Sequence, residues 1–358
     1  MKLFTLGPVE MYEHTKSIGS LQNEYFRDTK FSNFMYETDM LLKKALFAPS
    51  EYHTMFLTCS GTGAMESTII NCFTSNDKLL VINGGTFGGY FVNICKYNQI
   101  PYEEISLKFG TPLIKKFLEP HEGESYTALL VNICETSTGQ LYDIDLLSDF
   151  CKRNKMFLIV DAISSAFADE YNITKYDIDA TIISSQKALA LPPGLAVSIL
   201  SDRIYNDRVV NNNVKSMYFD FKAYNADMKR GQTPFTPCIG ILYQLNDMLK
   251  QILKQGVANK INETKSLADY FRRMVVKSGI NIPSYALSNA LTPILFDTVD
   301  AYDVYKKLRD DFNIYINPNG FMSDYICRVG HLGNLTSKDF DMLLYALNKV
   351  VEDLSQNK

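Results

Sequence analysis

The chain has 358 residues, enough for about two domains, of which 46% are hydrophobic and 21% charged. This composition and a formal net charge of −4 indicate a soluble globular protein and argue against nucleic acid as a partner. The seven cysteines form no C-x-x-C pair and the four histidines show no zinc-like spacing, so we expect reduced thiols, no metal site and a cytoplasmic location. An apolar run of about 20 residues that would span a membrane is absent, and the N-terminal stretch is too short and interrupted for a signal peptide.

The first part of the chain alternates short apolar runs with helical patterns. An amphipathic helix is predicted over 143–155. The predicted strands cover 54–60, 79–83, 128–134, 156–162, 180–185 and 196–200. This alternation is typical of an α/β fold with a mainly parallel, doubly wound sheet and helices on both faces. The strands are continuously apolar, which indicates burial on both sides of the sheet.

After residue 201 longer amphipathic helices replace this alternation, and a smaller mixed part follows. The predicted helices cover 237–256, 259–278 and 300–311, with a last helix from Thr336, and the predicted strands cover 291–296 and 325–330. We therefore predict an N-terminal arm (1–20), a large domain (21–255) and a small α+β C-terminal domain (256–358).

Polar groups follow four of the predicted strands in the large domain. They are "CSGTGAMES" (59–67), "CETSTG" (134–139), Asp161 and Lys187. In open parallel sheets the ligand site lies beyond the carboxyl ends of the strands. We therefore expect these four groups to meet at one edge of the sheet.

The segment "SGTG" (60–63) has two interpretations. Small residues at a helix start let backbone amides approach an anion such as phosphate, and the helix dipole favours that charge. The alternative is a tight turn with a helix cap. A dinucleotide fingerprint is disfavoured because Glu66 stands at its third glycine position.

Asp161 and Lys187 are charged residues next to apolar runs. Asp161 follows "FLIV", so its carboxylate is either a helix N-cap or the partner of a cation in a ligand, such as a weakly basic ring nitrogen. Lys187 is followed by "ALALPP", which argues against a solvated surface lysine. A desolvated lysine amine is a nucleophile toward an aldehyde. An anion cradle, a carboxylate and such a lysine together suit pyridoxal 5'-phosphate, which has a phosphate, a pyridine nitrogen and an aldehyde.

At this point the motifs resemble those of a known family. They are "LGPVEM" (6–11), "SGTGAMES" (60–67), "GGTFGG" (84–89), "ETSTG" (135–139), "VDAISS" (160–165), "SSQKALALPPG" (184–194), "GQTPFTP" (231–237) and "CRVGHLGN" (327–334). Nearly the whole chain resembles the class V, fold-type I pyridoxal-phosphate aminotransferases, most closely the alanine/serine–glyoxylate (or pyruvate) group.

The resemblance implies a role for each residue of the site. Lys187 would attach the cofactor and move the Cα proton, and Asp161 would pair with the pyridine nitrogen. Arg328 would grip the substrate carboxylate. The remaining contacts implied are Thr62, Gly63 and Gln186 to the phosphate, Thr136 to the ring hydroxyl, Phe87 over the ring, Thr236 to the phosphate of a neighbouring subunit, and Gly7 beside the substrate.

The resemblance also implies the reaction. It is the transfer of an amino group from a small amino acid of the alanine/serine type to glyoxylate or pyruvate, in a homodimer with its sites at the interface. The alternatives are a 2-aminoethylphosphonate:pyruvate transaminase and, more distantly, a lyase such as a cysteine desulfurase. The desulfurase needs a mobile cysteine, whereas Cys327 lies in a predicted strand and is read as packing. A surface ion pair is expected for Arg27, and a structural role for His331.

Overall fold

The computed structural model describes residues 1–318, 320 and 322–356. Residues 319, 321, 357 and 358 of the predicted C-terminal domain lie outside this description. The strands are β1 (Lys2–Leu3), β2 (His53–Leu57), β3 (Leu79–Asn83), β4 (Tyr102–Ser106), β5 (Ala128–Asn132), β6 (Cys134–Glu135), β7 (Gln140–Leu141), β8 (Phe157–Asp161), β9 (Ala180–Ser184), β10 (Ala196–Leu200), β11 (Leu291–Leu295), β12 (Ile314–Tyr315), β13 (Asn317–Pro318) and β14 (Ile326–Gly330). The helices are α1 (Glu13–Gly19), α2 (Thr29–Ala45), α3 (Gly61–Cys72), α4 (Thr86–Tyr97), α5 (Lys115–Leu118), α6 (Ile144–Asn154), α7 (Asp202–Ile204), α8 (Phe221–Met228), α9 (Ile239–Gln255), α10 (Val257–Lys277), α11 (Ala301–Phe312) and α12 (Ser337–Gln356).

A seven-stranded sheet in the order β2-β10-β9-β8-β5-β3-β4 forms the centre of the large part. Its neighbouring strands are parallel except for β10, which is antiparallel to both β2 and β9. The prediction of a mainly parallel sheet is confirmed. The exception has a local cause, because only residues 185–195 join β9 to β10 and a connection this short, without a helix, returns the chain antiparallel.

Helices cover both faces of this sheet, as predicted. Leu129 and Val131 of β5 belong to one apolar core, which α2, α6 and α9 cover. Ala128 and Leu130 of the same strand belong to a second core, beneath α3, α4 and α8. Successive side chains of a strand point to opposite faces, so the continuously apolar strands supply both cores.

The C-terminal part has its own core and holds the start of the chain. The antiparallel sheet β11-β14-β13 packs with α10, α11 and α12. The N-terminal residues join it, because β1 pairs in parallel with β12 and Phe4 lies in the same core. The predicted boundary near 255 falls at Gly256, between α9 and α10. The division into three domains stays a prediction.

Candidate active site

The carboxyl ends of the parallel strands form the floor of the candidate site. Asp161 is the last residue of β8, and Lys187 follows β9, its neighbour in the sheet. Glu135 and Thr136 follow β5, on the other side of β8. Helix α3 begins at Gly61 after β2. The structure therefore brings the predicted strand-end groups to one edge.

Asp161 is buried, with 6% of its surface exposed. Its Oδ1 accepts a hydrogen bond from the backbone N–H of Ile163 at 2.8 Å. Burial raises the pKa of this carboxyl to about 7, against the opposing effects of the Ile163 N–H and the Lys187 charge, and Glu135 raises it further. The N-cap interpretation is wrong, because residues 163–168 after β8 form turns and not a helix. The carboxylate accepts this one backbone N–H, and its burial leaves a strong demand for a cation.

Lys187 is partly buried, and its amine lies in an environment that disfavours the charged form. Removal from water lowers the pKa of Lys187 to about 8, and the Arg328 charge acts in the same direction, while Cys134 and Asp161 oppose it. About half of the amine is therefore uncharged near pH 8. An uncharged amine is the form that attacks an aldehyde or accepts a proton.

The N-terminal segment passes directly over Lys187. Gly7 has φ +143°, and a Cβ placed on it would lie 3.1 Å from both Lys187 Cδ and Gln186 O. Ser184 Oγ donates to Gln186 Oε1 at 2.5 Å, which fixes one end of that partly buried side chain. Gly7, predicted at the substrate, therefore lies beside Lys187.

Arg328 reaches the site from the C-terminal part. One terminal nitrogen donates to Thr136 O at 3.0 Å and the other to Pro318 O at 2.9 Å. Its Nε is buried and lacks a hydrogen-bond partner among residues 1–318, 320 and 322–356. The Thr136 hydroxyl lies 2.7 Å from Ser164 Oγ. The guanidinium is thus anchored to two carbonyls and keeps further donors for a ligand.

Helix α3 begins against the Asp161 segment. Ser60 is its N-cap and accepts from the Gly63 N–H at 3.3 Å, so the cap interpretation of "SGTG" is correct for Ser60. A Cβ on Gly61 would lie 2.4 Å from Ile163 Cδ1, so a larger residue there would require the Ile163 side chain to move. Thr62 is exposed in the first turn, where a helix favours an anion.

Glu135 is a buried carboxylate that the sequence reasoning missed. It is fully buried and accepts from Asn132 Nδ2 at 2.8 Å and from the N–H groups of Gly88 and Phe87 at 3.0 and 3.4 Å. It therefore caps α4, whose first turn carries Phe87. The signal was present, because "ETSTG" places an acid between a buried strand and a turn.

The structure also places four further residues that the sequence analysis named. Phe87 is partly buried, with its ring centroid 5.5 Å from that of Tyr90. Thr236 is exposed in the loop before α9. The surface ion pair expected for Arg27 is wrong, because its guanidinium donates to Thr233 O at 2.7 Å and Pro234 O at 3.1 Å in that loop. His331 is buried, with Nδ1 2.9 Å from Asn289 O, in agreement with a structural role.

Metal-ligand clusters are not a feature of this site. Across the described ranges, groups of three or more His, Cys, Asp or Glu side chains placed to hold a metal ion are not found. The same residues contain no helix long and apolar enough to cross a membrane.

Comparison with known proteins assigns the chain to a family. Residues 10–322 match the family described as aminotransferase class-V. The chain belongs to the class V aminotransferases. This transaminase is 28% identical to an uncharacterized aminotransferase of Methanocaldococcus jannaschii over 92% of its length and 86% of the relative's. It is 24% identical to the serine–glyoxylate aminotransferase of Arabidopsis thaliana over 98% of this chain and 90% of that one.

Solved structures give the same result for the fold. The alanine–glyoxylate aminotransferase from Nostoc sp. superposes with a TM-score of 0.92 at 23% identity, covering 98% of this chain and 94% of that one. The predicted fold class, a fold-type I transferase, is confirmed. Its transaminase activity is the reference for the variants below.

Replacing Gly7 by alanine is expected to lower transaminase turnover at least about tenfold. An alanine at this position is held at a φ that is unfavourable for a residue with a side chain, and its Cβ contacts Lys187 Cδ closely. Local strain of this kind costs about 1–3 kcal/mol. Gly110→Ala is the matched control, since Gly110 also has a positive φ, +83°, but has open space around its Cβ position. Steady-state kinetics and thermal unfolding compare them. Equal turnover in both variants contradicts close approach as the reason for glycine at position 7.

Proposed function

We propose that this class V transaminase uses pyridoxal 5'-phosphate to move the amino group of a small amino acid of the alanine/serine type to glyoxylate or pyruvate. One observation carries the proposal: Asp161 and Lys187 lie at the ends of adjacent strands. Burial raises the pKa of Asp161 and lowers the pKa of Lys187, so that it favours the uncharged form of both groups. The names of the Arabidopsis and Nostoc relatives support the choice of substrates.

The residues of the site fit the cofactor. Asp161 would hold the protonated ring nitrogen, because a buried carboxylate needs a cation. Thr62 and Gly63 at the start of α3, together with Gln186, would hold the phosphate. Thr136 would bond the ring hydroxyl, and Phe87 would lie over the ring. When bound, the cofactor supplies an aldehyde that takes up the amino group and a ring that accepts electrons.

Lys187 has two tasks in this proposal. Its amine would hold the cofactor covalently, and the free amine would act as a base. With a pKa of about 8 the free amine would take the proton from the substrate Cα near physiological pH and pass it to the carbon of the cofactor that carried the aldehyde. Gly7, because it has no side chain, lets the N-terminal backbone lie against the stem of this lysine.

Arg328 orients the substrate in this proposal. A guanidinium makes two parallel hydrogen bonds to a carboxylate, and this fixes the Cα with respect to the lysine. The two carbonyl bonds of Arg328 hold its plane in place before the substrate arrives. The unpartnered Nε is the donor that the carboxylate would satisfy.

Replacing Arg328 by lysine is expected to raise KM for the amino donor about 30- to 300-fold, with a smaller fall in kcat. A point charge cannot reproduce the bidentate geometry, and a lost charge-assisted hydrogen bond costs about 2–3 kcal/mol. Arg203→Lys is the matched control, because Arg203 pairs with Asp179 before β9, at the opposite end of the sheet. Steady-state kinetics test both variants. An unchanged KM in Arg328→Lys contradicts the assignment of Arg328.

We also propose a cytoplasmic homodimer in which Thr236 contacts the phosphate of the neighbouring subunit. Thr236 is exposed, and Arg27 fixes the loop that carries it. The side chains of Leu21 and Tyr25 are 67% and 70% exposed, which a dimer contact would cover. Light scattering should give about twice the chain mass of 40.7 kDa. A mass equal to that of one chain contradicts the dimer.

Two alternative functions differ from this proposal in the substrate on which the enzyme acts. A cysteine desulfurase needs a reactive thiolate, but burial raises the pKa of Cys327 to about 12, and its Sγ lies 3.0 Å from Ala301 O in the core. A 2-aminoethylphosphonate transaminase needs a cationic site for the phosphonate. Arg27 does not provide one readily, since loop carbonyls occupy its guanidinium.

A donor panel tests the substrate. L-Alanine, L-serine, L-aspartate, 2-aminoethylphosphonate and L-cysteine are each assayed with glyoxylate, pyruvate and 2-oxoglutarate. We expect the highest kcat/KM for alanine or serine with glyoxylate or pyruvate. A preference for 2-aminoethylphosphonate, or sulfide release from cysteine, contradicts the proposal and supports the corresponding alternative.

A further inference from the structure

A chain segment between α10 and β11 lies between the large part and β14, the strand that carries Arg328. Along residues 285–291 it makes a series of hydrogen bonds to the large part. Tyr285 Oη donates to Thr138 O at 2.6 Å, and Ser288 N donates to Gly139 O at 3.0 Å. We call residues 285–291 the connecting segment. Its last residue, Leu291, is the first residue of β11, so the position of the segment sets where that strand begins.

Asp169 holds the middle of the connecting segment. It follows the "VDAISS" motif by a few residues and is 3% exposed. Its Oδ2 accepts from Ser288 Oγ at 2.5 Å and its Oδ1 accepts from Asn289 N at 2.8 Å. In return, Asn289 Nδ2 donates to Ala168 O at 3.0 Å. Both carboxylate oxygens are therefore used to bind one segment, which fixes its distance from the strand end that carries Asp161.

The same segment is bonded on its other side to the strand of Arg328. Ala290 O accepts from His331 N at 2.9 Å, and His331 Nδ1 lies 2.9 Å from Asn289 O. Next, β11 pairs with β14 so that Pro293 lies opposite Arg328. The path from Asp169 to Arg328 thus consists of the two bonds of the Asp169 carboxylate, the bonds between the connecting segment and His331, and the β11–β14 strand pair.

We propose that Asp169 is a positioning residue that sets the place of Arg328 relative to Lys187. This inference rests on the proposed function, in which Arg328 binds the substrate carboxylate. A shift of about 1 Å in a binding group costs up to about a hundredfold in catalysis, so a fixed connecting segment matters. A carboxylate suits this task because it accepts two hydrogen bonds at once, and bonds to a charged acceptor are the stronger ones. Burial raises the pKa of Asp169 to about 6, while the Ser288 and Asn289 donors and the Arg272 charge oppose the rise.

A purely structural carboxylate provides the contrast. Asp179 is also 3% exposed and accepts from Leu158 N, Ser201 Oγ and Arg203. It precedes β9, at the end of the sheet opposite the site. Asp169 and Asp179 are therefore alike in burial, and each accepts from a backbone N–H and a serine hydroxyl, but Asp179 also pairs with Arg203 and holds no part of the connecting segment.

The test uses the holoenzyme with L-alanine and glyoxylate. Asp169→Ala is expected to raise KM for both substrates about tenfold, with kcat within about threefold and an unchanged absorbance spectrum of the bound cofactor. Ser288→Ala removes one of the two bonds to Asp169 and also the Ala290 N–H bond to Ser288 Oγ within the connecting segment. The same shift at smaller size is expected, so the test stands even where Asp169→Ala does not fold. Asp179→Ala is expected to lose stability with KM unchanged. A KM that stays constant in the Asp169 and Ser288 variants, or rises equally in Asp179→Ala, overturns the inference.

A double-mutant cycle with Arg328→Lys separates the two proposals. If Asp169 acts through Arg328, Asp169→Ala changes KM less than about twofold in the Arg328→Lys background. A full tenfold effect in that background overturns the positioning role while leaving the role of Arg328 intact. An unchanged KM in Arg328→Lys alone is instead a failure of the proposed function.

Discussion

Replacing Lys187 by alanine is expected to lower transaminase kcat by at least about a thousandfold. The variant loses both the nucleophile that attaches the cofactor and the base that moves the Cα proton, and general-base catalysis alone supplies about 10²–10⁴. The purified variant should also lose the yellow colour of the attached cofactor. Single-turnover mixing with L-alanine, followed by absorbance, measures the chemical step without product release.

Lys260→Ala is the control for the loss of a buried lysine. Lys260 is 5% exposed and donates to Tyr12 Oη at 2.8 Å, on α10 and outside the site. This variant is expected to lose some stability and keep its kcat. Undiminished turnover in Lys187→Ala, or an equal loss in Lys260→Ala, contradicts a chemical role for Lys187.

Replacing Asp161 by asparagine is expected to lower kcat by about a hundredfold or more. A carboxylate partner raises the pKa of a ring nitrogen by about one to three units. A fall of about two units in that pKa reduces the protonated fraction of the ring nitrogen about a hundredfold. The amide keeps an oxygen for the Ile163 N–H, so the fold is retained. Asp179→Asn is the control with an equally buried carboxylate. Steady-state kinetics with saturating cofactor compare the two variants. Wild-type turnover in Asp161→Asn contradicts the pairing of Asp161 with the ring nitrogen.

The same substitution is expected to stabilise the cofactor-free protein at alkaline pH. The folded pKa of Asp161, about 7, lies above the ordinary value of 3.8, so the folded state binds the proton more tightly than the unfolded state. Stability therefore falls as pH rises from about 4 to 7, and the penalty is complete above that window. At about 1.4 kcal/mol per pKa unit it reaches up to about 4 kcal/mol, which asparagine avoids.

Urea unfolding of cofactor-free protein at pH 8 and pH 5 measures this effect. Asp161→Asn should exceed the wild type in free energy of unfolding at pH 8, and the difference should shrink at pH 5. A difference independent of pH, or a less stable variant at pH 8, contradicts a buried carboxylate with a raised pKa. A more stable Asp161→Asn variant at pH 8 would be expected of a functional site, where stability is often lower than the fold allows.

The sequence predicted the parts of this molecule that local patterns encode. Continuous apolar runs placed β5, β8 and β9, and their polar ends placed Asp161 and Lys187 at one edge. The strand β4 was missed because Glu103 and Glu104 interrupt its apolar pattern. It lies at the edge of the sheet, where one side remains open to solvent and a continuous apolar run is not required.

The sequence did not predict contacts between segments that lie far apart in the chain. Glu135 caps α4 and Asp169 binds the connecting segment, and each pairing depends on how separate elements pack. Arg27 was expected in an ion pair, yet its partners are backbone carbonyls of a loop about 200 residues away, which leave no trace in composition or spacing. The family resemblance supplied the roles of Arg328 and Gly7, whereas spacing alone did not.

Borohydride reduction of the yellow holoenzyme, followed by mass spectrometry of its peptides, tests the central claim most directly. Reduction makes the link between lysine and cofactor permanent, so the modified peptide identifies the attachment residue. The account predicts bleaching of the colour and a pyridoxyl phosphate label on the peptide that contains Lys187. A label on another lysine, or a reduced protein that carries no label, would contradict it.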